Sequence, residues 1–119
     1  MIVVSLTGRL TREPELRNVE TEESESRDLC QVRIAARDSR NQTVFLDCVQ
    51  WGPAGRAAAT CLEKGSLVAF TGELRLREHE IGGTRRQFFS AVGRIEFLEG
   101  RRRPGSEAGD TAPTPTPFD

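Results

Sequence analysis

The pattern that most constrains this chain is a repeated alternation of apolar and polar residues, broken once by a stretch with helical spacing. In residues 2–10, Ile2, Val4 and Leu6 fall on one face and Val3, Ser5, Thr7 and Arg9 on the other, the period of a half-buried strand. Gly8 within it marks a bulge or a close backbone approach. After Pro14, residues 15–17 add a short extended piece. Residues 18–28 are polar and acidic with no apolar face to bury, which predicts a mobile loop. Alternation returns over 29–37: Cys30, Val32 and Ile34 point one way, Gln31, Arg33 and Arg37 the other. Residues 38–42 read as a turn. Residues 43–51, rich in β-branched and aromatic side chains, make a third strand.

The period then changes. Pro53 suits a first helical turn, and Ala54, Ala57, Ala58, Cys61 and Leu62 give a small apolar stripe. Lys64 sits where it favours the helix dipole, and Gly65 suits the position that closes a helix. Residues 66–77 form a long strand with a bulge at Gly72. Residues 81–84 are a hairpin tip, and 85–98 form the last strand, bent at Gly93. Phe70 and Phe97 are expected in the core; of the adjacent Phe88 and Phe89, one is expected to face in and the other out.

One helix between the third and fourth of five strands is the order of an all-β OB-fold, a five-stranded Greek-key barrel. Alternating helices, which a doubly wound sheet needs, are missing from the pattern. The chain has 119 residues, the size of one domain. That domain is expected over residues 1–100, followed at 101–119 by a disordered tail rich in Pro, Thr and Gly.

Several classes of function are excluded by content. No apolar run approaches the ~20 residues that span a membrane. Met-Ile-Val-Val-Ser-Leu has neither the basic region nor the cleavage site of a signal peptide. Cys30, Cys48 and Cys61 are widely spaced, and the single His79 does not complete a metal set with them. They read as three buried thiols in a reducing cytoplasm. There is no nucleophile elbow and no phosphate-cradling Gly-Lys-Ser loop, so we expect no enzyme, no cofactor and no metal.

The net charge of −1 looks hostile to nucleic acid until it is divided by region. Residues 18–28 carry four net negative charges; the tail carries three, offset by Arg101, Arg102 and Arg103. The folded body is left at +3. Lys64 is the only lysine; the other cations are arginines, whose planar forks pair with phosphate and stack on rings. Arg9, Arg33, Arg37, Arg75, Arg77 and His79 all fall on outward strand faces. Phe45 and Trp51, six apart, share a strand face with Asp47 and Val49, while Leu46 and Cys48 point inward. Aromatics outside and aliphatics inside are what a surface that stacks bases needs.

Five collinear segments resemble the bacterial single-stranded DNA-binding protein family. Leu6-Thr7-Gly8-Arg9-Leu10-Thr11-Arg12-Glu13-Pro14-Glu15-Leu16-Arg17 is similar to its first-strand signature. Phe45-Leu46-Asp47-Cys48-Val49-Gln50-Trp51-Gly52 is similar to its aromatic third strand, and Leu62-Glu63-Lys64-Gly65-Ser66-Leu67-Val68 to its entry into strand four. Gly72-Glu73-Leu74-Arg75-Leu76-Arg77 and Arg94-Ile95-Glu96-Phe97-Leu98 resemble its last two strands. The resemblance implies a homotetramer that wraps single strands without sequence specificity in replication, recombination and repair, in the bacterial cytoplasm at the nucleoid. It implies that Phe45 and Trp51 stack bases and that Arg17, Lys64, Arg75 and Arg77 contact the backbone. Three departures stand out. His79 occupies a position where many members have Trp or Tyr, and Asp47 puts an acid beside the aromatics. The family's acidic tip, which ends in Pro-Phe and recruits replication and repair proteins, is here Pro117-Phe118 followed by Asp119. The alternative reading is an OB-fold paralogue that acts mainly in protein assembly, for example at a primosome, with weak DNA binding. RNA is a third candidate ligand.

Overall fold

The computed structural model describes residues 1–20, 22 and 26–99. The expected tail lies outside these residues, as does the centre of the acidic segment. The elements run β1 (Val3–Leu10), β2 (Glu15–Glu20), β3 (Ser26–Arg37), β4 (Thr43–Trp51), α1 (Gly52–Cys61), β5 (Leu67–Ile81) and β6 (Thr84–Phe97). Neighbours across the sheet are β1-β5-β6-β4-β3-β2, and β1 also pairs with β3. That last pairing closes β1, β5, β6, β4 and β3 into a five-stranded barrel, with β2 as an extra edge on β3. All pairings are antiparallel except β4 with β6. This is the arrangement of an OB-fold.

Alternation sets the inward faces as expected. Cys30, Val32, Ile34, Cys48, Val68 and Phe70 are fully buried and pack with Leu10, Ala91 and Ile95 inside the barrel. Gly8 is a close approach, because β1 changes partner there, pairing Val68 on one side and Ala36 on the other. A Cβ at Gly8 would lie 2.2 Å from the Ala35 carbonyl oxygen. Gln50 is one of three buried polar residues, with Ser66 and Ser90, and its Oε1 accepts the Ile95 N–H at 3.0 Å.

Several expectations fail for identifiable reasons. Residues 18–20 and 26–28 are not loop: they extend the β2–β3 ladder, with Asn18 opposite Asp28 and Glu20 opposite Ser26. An edge strand with solvent beside it does not need an apolar face. Its polar side chains bond one another instead, Asn18 Nδ2 to Asp28 Oδ1 at 3.2 Å and Ser26 to Asn18. There is no bulge at Gly72, since β5 and β6 stay in register from Val68↔Phe97 to Ile81↔Thr84. Gly72 and Gly93 face each other in that ladder, and a Cβ on Gly93 would lie 2.2 Å from the Thr71 carbonyl oxygen.

Of the expected stripe, Ala58 in α1 and Leu62 just after it are buried, together with Gly55, while Ala54, Ala57 and Cys61 are exposed. The reason is Gly55, which lets the helix approach so closely that a Cβ there would meet the Gln50 carbonyl oxygen at 2.3 Å. Cys61 is therefore not a buried thiol. Burial pushes the Cys30 thiol up to about 11; burial, with the Asp47 charge, pushes that of Cys48 up to about 12. The helix is capped at Leu62, with no basic residue in its last turn. Gly65 instead takes a φ of 91° in the turn leading to β5, and Lys64 lies beyond the helix.

The aromatic expectations fail at the far end of β5 and β6. The β1–β5 pairing stops at Glu73 and the β4–β6 pairing at Ser90. Beyond Leu74, whose N–H still donates to the Ile2 carbonyl at 2.8 Å, the two strands pair only with each other and project as an arm. Phe88 and Phe89 both stand in solvent, 41% and 64% exposed, because neither face of the arm is covered. Phe97, the last residue of β6, is 43% exposed rather than core.

Candidate nucleic-acid interface

The outer faces of β3, β4, β6 and β5 form one surface. Directly paired residues share a face, so the register gives its rows. One row crosses all four strands: Arg33 opposite Asp47, Asp47 beside Ser90, Ser90 opposite Arg75. The β3–β4 ladder runs without a slip from Leu29↔Trp51 to Arg37↔Thr43. The even spacing of Phe45, Asp47 and Trp51 therefore does place them on one face, with the two rings about 20 Å apart along the strand.

Each ring carries an arginine. The Arg33 guanidinium carbon lies 5.3 Å from the Phe45 ring centroid, and that of Arg27 lies 5.6 Å from the Trp51 ring. Arg33 is held there by Asp47, Nη1 donating to Oδ1 at 3.1 Å. Trp51 is also the residue that opens α1, so its backbone is fixed by the helix that follows. Phe45, 52% exposed, borders an apolar hollow of about 390 Å³ lined by Val4, Leu6, Leu46, Leu74 and Phe89. An exposed cation–π contact is worth about 0.5–1 kcal/mol, and a stacked base about 1–3 kcal/mol. A stacked base is thus worth more than either guanidinium contact it would replace.

On the arm, Arg77 is opposite Phe88 and His79 opposite Arg86, so these four share the face of Arg75. The His79 and Phe88 rings lie 5.8 Å apart and tilted. Arg75 is drawn towards Glu73, Nε to Oε1 at 3.7 Å. A strand crossing from Trp51 to the arm would pass two aromatic rings and a series of cations.

Other expected residues sit elsewhere. Arg9 ties the barrel together, donating from Nη1 to the Gly65 carbonyl at 2.8 Å and to Glu99 at 3.3 Å. Arg17 lies on the β2 edge, paired with Glu15 at 3.0 Å. Arg37 ends β3 and donates to Asn41 Oδ1 at 3.0 Å. Lys64 follows α1, its backbone N–H donating to Glu13 Oε1 at 3.3 Å. Pro117 and Phe118 lie outside the described residues.

The residues that sequence reasoning missed are Arg27, Arg86 and Phe88. Arg27 sits in the acidic run, where it reads as one cation among carboxylates; only the β2–β3 ladder carries it to Trp51. A neighbour in that hairpin, Asp28, bonds Arg56 of α1, Nε to Oδ2 at 2.7 Å. The Arg56 guanidinium, and then Asn18, hold the Asp28 carboxyl below its ordinary range. Among the described residues no group of three His, Cys, Asp or Glu side chains is placed to hold a metal ion, and no helix is long and apolar enough to cross a membrane.

Comparison with known proteins identifies the family. A model of the single-strand binding protein family matches residues 1–98. The chain is similar to the single-stranded DNA-binding protein of Clostridium tetani, 33% identical over 100 residues that cover 81% of this chain and 69% of the relative. It is similar to single-stranded DNA-binding protein 2 of Streptococcus agalactiae, 34% identical over 82 residues, 67% of this chain and 63% of the relative. With single-stranded DNA-binding protein A of Bacillus subtilis it shares 31% identity over 110 residues, 89% of this chain and 64% of the relative. The fold, the match over residues 1–98 and these relatives lead to one conclusion: the chain belongs to the single-strand binding protein family.

Proposed function

We propose that the protein binds single-stranded DNA on the outer face of β3, β4, β6 and β5. Phe45 and Trp51 stack bases, and Arg27, Arg33, Arg75, Arg77 and Arg86 meet phosphates. The observation that carries this reading is the pairing of each ring with a displaceable guanidinium on one continuous face. Stacking needs only a π-face and phosphate contacts carry no sequence information, so no sequence motif is read and the work is coating and protection. Replication, recombination and repair at the nucleoid are the settings where single strands need it. The protein binds rather than catalyses. Arg9, Arg17, Arg37, Lys64 and His79 belong to the periphery of this site, on paths a long strand takes around the barrel.

Assembly as a homotetramer fits the exposed apolar surface of the arm, where Leu76 and Phe89 need cover. Pro117 and Phe118 are the proposed partner-binding residues. The test is anisotropy titration of a long labelled oligo-dT. Native protein binds, and the joint change Phe45→Ala, Trp51→Ala removes most of the affinity; equal binding by the variant would sink this site. Native binding of only micromolar strength or weaker at moderate salt would favour the assembly-module reading, to which the Asp47 carboxylate on the face points.

A further inference from the structure

The far end of the β2–β3 ribbon is tied to the helix by an acid that stacking and phosphate binding leave unused. β3 leaves its β4 partner at Leu29↔Trp51, so residues 26–28 pair with β2 alone. A two-stranded ribbon of that kind is marginally stable without further contacts. Neighbouring residues of a strand point to opposite faces, and here two of them reach back to the body. The Arg27 guanidinium carbon lies 5.6 Å from the Trp51 ring. Asp28 turns the other way, to α1, and its side chain is only 13% exposed. Both of its oxygens are used. Oδ2 accepts Arg56 Nε at 2.7 Å and also takes Nη2, while Oδ1 accepts Asn18 Nδ2 at 3.2 Å. Ser26 bonds Asn18 in turn. The run Ser26–Asn18–Asp28–Arg56 thus ties both strands of the ribbon to the helix that follows Trp51.

We propose that Asp28 and Arg56 are positioning residues for the binding of single-stranded DNA: their clasp holds the ribbon so that Arg27 stays beside Trp51. The inference rests on the binding reading above. The ring and its cation are fixed from one element, because α1 begins directly after Trp51 and carries Arg56 five residues later. With the clasp closed, an arginine that gives up the ring to a base keeps its backbone in place, beside the phosphate of that nucleotide. With the clasp open, the ribbon moves and Arg27 spreads over many positions. Simple charge counting predicts the opposite for Asp28, since removing an acid from a surface that binds a polyanion strengthens attraction. The sign of the effect therefore separates the two accounts.

Anisotropy titration of a labelled oligo-dT over a series of salt concentrations tests it. One lost phosphate contact lowers the slope of log affinity against log salt by about 0.7, which amounts to about a threefold loss between 1 M and 0.2 M salt. Arg27→Ala, Asp28→Ala and Arg56→Ala are each expected to weaken binding and flatten the slope by up to that amount. Added to Arg27→Ala, Asp28→Ala should cost nothing further, because it acts through Arg27 alone. Circular dichroism and native quenching of Trp51 at saturation check that barrel and ring are intact, and Arg56→Ala opens the clasp from an exposed side chain if Asp28→Ala does not fold. Binding by Asp28→Ala as tight as native or tighter overturns the inference alone. So does a further loss in the joint variant, or a native salt slope in Arg27→Ala. If native protein binds no strand, the binding reading and the inference fall together.

Discussion

The two halves of the outer face are built differently. On β3 and β4 every element of the face is supported: the strands are paired on both sides, α1 follows Trp51, and Asp47 holds Arg33 over Phe45. On the arm of β5 and β6 the strands pair only with each other, Phe88 and Phe89 are in solvent, and His79 with Phe88 is a loose ring contact. A two-stranded hairpin without cover is marginally stable. Similar residue types therefore do different work on different supports. Under the proposed function, the supported half offers rings held in place for stacking, whereas the arm offers cations whose contribution would be mainly electrostatic.

The strongest challenge to this contrast is to remove both rings of the supported half. Without two stacked bases at about 1–3 kcal/mol each, the joint Phe45→Ala, Trp51→Ala variant should bind a long single strand about thirtyfold more weakly or worse, by anisotropy. Removing charge from the arm should matter less and differently. Arg77→Ala with Arg86→Ala is expected to flatten the dependence of log affinity on log salt by about 0.7 for each phosphate no longer neutralised. An unchanged salt slope would mean that the arm does not meet phosphates.

Smaller effects concern the free protein. Ser90→Ala removes a buried hydroxyl that has no hydrogen-bond partner among the described residues. An unmet group of this kind costs about 1–3 kcal/mol, so the variant should be more stable than native by up to about 1 kcal/mol in denaturant unfolding. Lower stability would reveal a partner for Ser90. The Asp28–Arg56 pair gives a pH dependence. The Asp28 carboxyl is held below its ordinary 3.8 when folded. The pair therefore stabilises fully above that value, and its contribution is lost as pH falls through the folded carboxyl's lower range. Arg56→Ala should show a smaller acid-induced drop in melting temperature than native protein.

What the sequence makes legible follows from its periods. Cys30, Val32 and Ile34 alternate and are buried, and the strand–helix order leads to the barrel. Phe45, Asp47 and Trp51 lie on one face because their spacing is even and no bulge intervenes. Alternation reports which face a residue takes, not whether that face is covered, and so the exposure of Phe97 and of both Phe88 and Phe89 is not written in it. A polar edge strand leaves no apolar period at all, which hides the β2–β3 hairpin and with it Arg27. The position of α1 depends on a contact through Gly55, and a stripe of alanines does not report which side lets the helix come closest.

The proposed binding on this face places a stacked base on Trp51, whose ring lies 5.6 Å from the Arg27 guanidinium. The chain has a single tryptophan, so its fluorescence reports that ring alone. Titration with oligo-dT, followed at the same time by anisotropy of the labelled strand, should quench Trp51 in proportion to binding. Saturated binding with the tryptophan emission unchanged would contradict stacking at Trp51.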